Sequence, residues 1–247
     1  VNLILFSAEE IARPLLRSDA RAHHLLRVLG RKVGDTFDVG CLNGARGKGK
    51  LVAVGDEALD LSFTWGKEPP PLPPRILLIG LPRPQTARDI LRDATTLGAS
   101  AIHFVSTARS DPNYASSSLW SSGEWRRHLV IGAEQAFDTR LPEVTWTHSL
   151  TESLATLPSR TIRLALDLYE ARAPLSRCHL LDDIGAVVVA LGPERGWDAA
   201  DREALRAAGF TLVHLGSRVL RTETAVVAAL AVVEAMVRER AATETLK

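Results

Sequence analysis

Two apolar runs in the last third of the chain, each breaking into a glycine-bearing loop, set the strongest limit on its fold. AVVVAL (186 to 191) opens into GPERGW (192 to 197), and FTLVHL (210 to 215) opens into GSRVLRTETA (216 to 225). Each reads as a buried strand followed by a loop and a helix, the place where open α/β sheets bind ligands. Gly192, Gly196 and Gly216 lack a Cβ, so their backbone can turn sharply and lie against a planar ligand. Taken alone, the same glycines also suit ordinary strand-to-helix turns.

A proline-rich stretch divides the rest. Residues 69 to 74 hold five prolines in six positions, which neither pair inside a sheet nor continue a helix. Beyond it, strand and helix alternate: RILLIG, QTARDILRDATTL, AIHFV, SGEWRRHLVIGAEQA, VTW, SLTESLATL and TIRLALDL. That order predicts a mostly parallel sheet with helices on both faces. Before it, LILF reads as a strand and Ser18 as the N-cap of a helix through HHLLRVL, ended by Gly30. TFDVG, KGKLVAVG and ALDLSFTW then read as a small β-rich unit. The expected division is 1–68, a linker at 69–74, and 75–247.

GARGKGK (44 to 50) imitates the start of a phosphate-binding loop, but Leu51 stands where a magnesium-holding Ser or Thr is needed and a strand follows. A basic hairpin is the better reading. Between Arg13 and Lys50 nine Lys or Arg face three Asp, although the net charge is only +1. Such a local excess suits phosphate, and an RNA contact through Arg27, Arg31, Arg46, Lys48 and Lys50 is expected; the alternative is a solvated face in a protein with 25 Arg and 5 Lys.

Other classes find little support. The two cysteines, Cys41 and Cys178, form no CxxC, and the seven histidines form no HExxH, so no metal site is expected. There is neither GxSxG nor an early GxGxxG, which removes a serine hydrolase and a nicotinamide enzyme. No run reaches the roughly 18 apolar residues of a membrane span, and the opening VNLILFSAEE is unlike a signal peptide, so a cytoplasmic protein is expected. Among the tryptophans, only Trp197 suggests a base-stacking role.

The order GPERG, then LGSRVLRTETA, resembles the ribosomal RNA small-subunit methyltransferase E family, whose patterns are GPEGG and LGxRILRxETA. HHLLRVL, ATTLG at 94 to 98, and AEQ at 133 to 135 with Arg140 extend the resemblance. It implies a SPOUT-type, trefoil-knotted α/β domain after a PUA-like RNA-binding β-barrel. It also implies S-adenosyl-L-methionine as cofactor, ribosomal RNA or the small subunit as partner, and methylation of N3 of a 16S uridine. An inactive RNA-binding protein of the same fold is the alternative. By the same resemblance Leu166, Leu191, Gly192, Pro193, Gly196, Leu215, Gly216, Ser217, Val219 and Leu220 would hold the cofactor, and Arg109, Arg140 and Arg218 would meet RNA.

The implied chemistry removes the imide proton of uridine N3, so negative charge develops on the ring. Arg221 suits that charge but cannot act as a base. Glu223 or Glu194 could take the proton, directly or through water; equally, Glu223 could serve helix-end electrostatics and Glu194 a backbone cap. Gly30, Asp93, Thr96, Ala108 and Arg195 depart from the family pattern. Arg195 is expected to have ordinary negative φ and to point away from the adenosine site.

The last helix, from Thr222, reads AVVAALAVV over 225 to 233 without a polar side chain. An all-round apolar helix must be covered on both sides, and a homodimer through it is expected.

Overall fold

The computed structural model describes residues 3–178 and 186–245, so His179 lies outside the described residues. The chain divides into two compact units: one runs to Pro71 and includes Ala133–Leu141, and the other holds Leu72–Gly132 and the residues from Pro142 onward. Residues 133 to 141, assigned from sequence to the second part, thus cluster with the first.

In the first unit β1 (Leu3–Phe6), β2 (Leu15–Leu16), β3 (Thr36–Cys41), β4 (Arg46–Val54) and β5 (Ala58–Trp65) form a sheet in the order β1-β3-β4-β5-β2. β1 pairs with β3 in parallel and the other pairs are antiparallel. Between β2 and β3 lie α1 (Ala20–His23) and a π-turn, His24–Val28. Ile4, Phe6, Leu15, Leu25, Phe37, Val39, Leu51 and Leu59 make the core. β4 alternates as a half-buried strand must: Arg46, Lys48 and Lys50 are exposed, while Gly49 and Leu51 are buried. Gly49 is needed there, because a Cβ would lie 2.4 Å from the Phe37 ring.

The helix cap is Asp19, one residue beyond the expected Ser18. Its carboxylate accepts from Arg21 N at 2.8 Å and pairs with the Arg21 guanidinium at 2.7 Å, which a serine hydroxyl could not do. Gly30, where the family favours arginine, has φ +61°, a conformation that strains any residue with a Cβ.

The second unit contains β6 (Arg75–Gly80), α2 (Pro84–Thr96), β7 (Ala101–Ser106), α3 (Ser118–Ser121), α4 (Glu124–Ala136) apart from its last turn from Ala133, β8 (Glu143–Ser149), α5 (Leu150–Thr156), β9 (Thr161–Leu166), β10 (Ala173–Pro174), β11 (Ala186–Leu191), α6 (Ala199–Ala207), β12 (Thr211–His214) and α7 (Thr222–Thr245). Its seven strands run in the order β10-β12-β9-β11-β6-β7-β8, and every pairing is parallel. All six residues of β11 are buried, which explains its unbroken apolar run.

α7 packs on α2 and β11. Val226, Ala229, Leu230 and Val233 are its buried stripe, and Glu234 ion-pairs with the buried Arg75 at the start of β6. Val227 is 37% exposed, so part of the apolar surface remains uncovered within one chain. Among the described residues no helix is long and apolar enough to cross a membrane.

Candidate functional site

Because β12, β9 and β11 are parallel neighbours, the loops leaving their carboxyl ends emerge side by side. They enclose a cavity of about 300 Å³, at the lower end of the range for small-ligand sites. Leu166 from β9, Leu191 from β11, and Pro193, Leu215, Val219 and Leu220 from the loops give it apolar walls, with Gly192, Gly196 and Gly216 between them. Nine of the ten residues expected to hold a cofactor therefore meet around one space, joined by Glu194 and Arg218; Ser217 is outside the lining.

The glycines serve different ends. Gly192 does so by closeness, since a Cβ there would lie 2.9 Å from the Gly196 backbone and 3.0 Å from Trp197 N. Gly196 and Gly216 do so by conformation, with φ +68° and +114°. Among the described non-glycine residues only Asn43 and Phe137 have positive φ, so Arg195 has the ordinary backbone expected of it; the residue is exposed but is itself part of the cavity lining.

Hydrogen bonds tie the 192–197 loop to its neighbours. Trp197 Nε1 donates to Leu166 O at 3.1 Å, Arg83 N donates to Glu194 Oε1 at 3.1 Å, and Arg109 Nη1 donates to Arg195 O at 2.7 Å. Trp197 is 1% exposed, so it is a packing residue and not the stacking platform its position suggested. Arg109, expected at RNA, spends one donor on holding the cavity loop. On the third loop Gly216 N donates to His214 Nδ1 at 3.1 Å, so the imidazole carries any single proton on Nε2.

The β9 loop is the part that sequence reasoning missed. Asp167, Leu168 and Tyr169 line the cavity beside Leu166. The Asp167 carboxylate is buried, pairs with Arg202 Nε of α6 at 2.7 Å, and accepts from Tyr169 N at 2.8 Å and Glu170 N at 2.6 Å. One signal was present: TIRLALDL is a strand whose carboxyl end carries an acid, and carboxyl ends are where such sheets bind.

Arg221 and Glu223 do not line the cavity. Arg221 follows Leu220 and immediately precedes α7, and Glu223 is the second residue of that helix; Leu220 and Thr222, which flank Arg221, both line the cavity. The Arg221 side chain is 80% exposed and stands 4.0 Å from the Glu223 carboxylate.

In the first unit the expected RNA residues divide. Arg27 and Lys50 are exposed and Arg31 is partly buried. Lys48 pairs with Asp38 at 2.7 Å, and Arg46 donates to Phe137 O at 2.8 Å while lying over that ring. Arg140 is turned inward, donating to Asn43 O at 2.6 Å and Pro69 O at 3.0 Å. Its guanidinium staples the 133–141 segment to its own unit. No cluster of metal-binding side chains occurs among the described residues.

The RNA methyltransferase domain family matches residues 68–234. Over its length the chain is similar to the ribosomal RNA small subunit methyltransferase E of Treponema pallidum, at 35% identity with 94% of this chain and 90% of that protein covered. The corresponding protein of Borreliella burgdorferi, designated E 1, is 29% identical over 93% of this chain and 95% of its own. Two crystal structures share the fold. The probable rRNA-methyltransferase from Porphyromonas gingivalis superposes with a TM-score of 0.78 at 22% identity, covering 94% of this chain and 97% of that one. The ribosomal RNA small subunit methyltransferase E from Neisseria gonorrhoeae bound to S-adenosyl methionine gives 0.72 at 22% identity, over 96% and 98%.

Proposed function

Since the chain belongs to the ribosomal RNA small-subunit methyltransferase E family, within the RNA methyltransferases, we propose that it methylates N3 of a uridine in 16S ribosomal RNA, using S-adenosyl-L-methionine. The observation that carries this reading is the cavity at the carboxyl ends of β12, β9 and β11, built from GPERG and LGSRVLRTETA. Its composition fits the cofactor: leucine and proline walls suit an adenosine, and the missing Cβ of Gly192 lets the loop close on Gly196 and Trp197 to shape the cavity. The cofactor, when bound, supplies an electrophilic methyl on a positive sulfonium.

The chain's own residues then have three tasks. Leu166, Leu191, Pro193 and Leu215 wall the cofactor and orient it, with Val219 and Leu220 on the exposed side of the cavity. Arg221, with exposed N–H donors beside the cavity wall, meets the charge that develops on the uracil as N3 loses its proton. Glu223 is the stronger candidate for receiving that proton, because Glu194 is engaged with Arg83 N and so fixes the loop.

The same reading divides the chain at 1–68, 69–74 and 75–247, apart from residues 133–141, which cluster with the first part, and makes that first part a PUA-like RNA-binding domain acting through its basic β4 face. It places the protein in the cytoplasm as a homodimer through α7. The test is transfer of labelled methyl from S-adenosylmethionine to small-subunit RNA from cells lacking the protein, followed by nucleoside mass spectrometry. 3-Methyluridine is the expected product. Label on another base would displace the N3-uridine assignment, and RNA binding without any transfer would make the chain an inactive RNA-binding protein.

A further inference from the structure

Tyr169 is a large aromatic residue that the fold leaves 78% exposed at the edge of the cavity. Exposed aromatics on loops are usually mobile, but this one is held. Its backbone N–H is fixed by Asp167 Oδ1 at 2.8 Å, and one ring face is met by the Arg202 guanidinium, 5.6 Å from the ring centroid. Arg202 is in turn fixed by the buried Asp167 at 2.7 Å and by Glu170 at 3.6 Å. Tyr169 also belongs to the lining of a second cavity, with Arg172, Arg206 and Phe210.

A phenol ring backed by a cation on one side, open on the rest, and set on a pinned loop is pre-ordered to receive another planar group. We propose that Tyr169 is a stacking platform for a nucleobase of the RNA substrate at the mouth of the cavity. The inference rests on the RNA methyltransferase reading above and adds a base-contacting residue to it. A nucleobase could also come from the cofactor's adenine. The RNA source is favoured because the ring is itself exposed and shares the cavity lining with the exposed Arg195 and Arg218, which can meet phosphates, whereas the buried part of that lining includes the apolar Leu191 and Pro193.

The experiment compares wild type, Tyr169→Ala and Tyr169→Phe in binding small-subunit ribosomal RNA and, separately, S-adenosylhomocysteine, with sedimentation of each protein. Tyr169→Ala is expected to weaken RNA binding roughly five- to a hundredfold, the effect of losing one stacked base. Tyr169→Phe should restore it, and S-adenosylhomocysteine affinity should stay within about twofold. Unchanged RNA affinity in Tyr169→Ala overturns the proposal. Loss confined to S-adenosylhomocysteine assigns the ring to the cofactor and overturns it too, and an altered sedimentation coefficient would assign the ring to a subunit contact. A wild-type protein with no affinity for RNA would overturn this inference together with the RNA methyltransferase reading.

Discussion

Asp167 and Arg202, 35 residues apart in sequence, meet at 2.7 Å with both side chains almost wholly buried. The pair joins the loop after β9 to α6 and so shapes one wall of the cavity. Removing one partner of a buried pair strands the other charge, at about 3–5 kcal/mol. Glu170, 3.6 Å from Arg202, offsets part of that loss. Asp167→Ala should therefore lower unfolding free energy by about 3 kcal/mol in denaturant titration. Asp167→Asn should cost less, because its amide oxygen can still accept from Tyr169 N and Glu170 N.

The two glycines of the GPERG loop should respond differently to alanine. Gly196→Ala meets nothing within 4 Å but must hold φ +68°, at about 1–2 kcal/mol. Its main effect is expected in stability. Gly192→Ala would press a methyl into the Gly196 and Trp197 backbone, so the cavity must change shape. A loss of S-adenosylhomocysteine affinity of more than about tenfold is expected there. Arg195→Gly, by contrast, should stay within about threefold, since the Arg195 side chain is exposed; a large gain in affinity would show that the arginine obstructs the site.

On α7, Val233 is fully buried within one chain and Val227 is 37% exposed. Val233→Arg would place a charge at that buried position. Its burial makes the fold the target, with a loss of at least about 3 kcal/mol. Val227→Arg should keep the circular dichroism of the native protein and sediment as a monomer. A persistent dimer would exclude this face of α7 from the interface.

The β4 face offers a salt-dependence test. Replacing Arg46, Lys48 and Lys50 with alanine should reduce the slope of log K against log salt by roughly one to three units. The lower end applies if the Lys48–Asp38 pair and the Arg46 bond to Phe137 O persist in the complex. A wild-type slope in the triple variant would remove this face from the RNA contact.

His103 provides a pH signature. Burial, chiefly, holds its pKa below the ordinary 6.5, while its Nδ1 meets Thr145 Oγ1 at 2.9 Å. The unfolded chain therefore takes up the proton first. Stability from this group is complete above 6.5 and falls as pH drops below it. His103→Gln should flatten that fall below about pH 6.5, as read from denaturant midpoints at several pH values. An unaltered pH profile would mean that another group dominates.

Much of this molecule was written locally. An unbroken apolar run such as 186–191 becomes a strand buried on both faces, and alternation along 46–54 becomes a half-buried one. Glycine adopts the backbone of positions 196 and 216 without strain, so the two loops were recognisable before any contact was known. Those properties depend on each residue's own φ, ψ and hydropathy, and the family motifs sit on them.

What the chain does across distance was not legible. Only the strand order β12-β9-β11 brings Asp167 and Tyr169 to the same cavity as Gly192 and Gly216. Only packing turns Arg140 inward, sets Arg109 on the Arg195 carbonyl, and separates Val233 from Val227 on a helix whose sequence is apolar on every side. A side chain's hydropathy states that it will be covered, or its charge that it will be paired. Which neighbour does so is settled by the topology of the sheet and the register of its helices, because the partners are distant in sequence and meet only when the strands are in order.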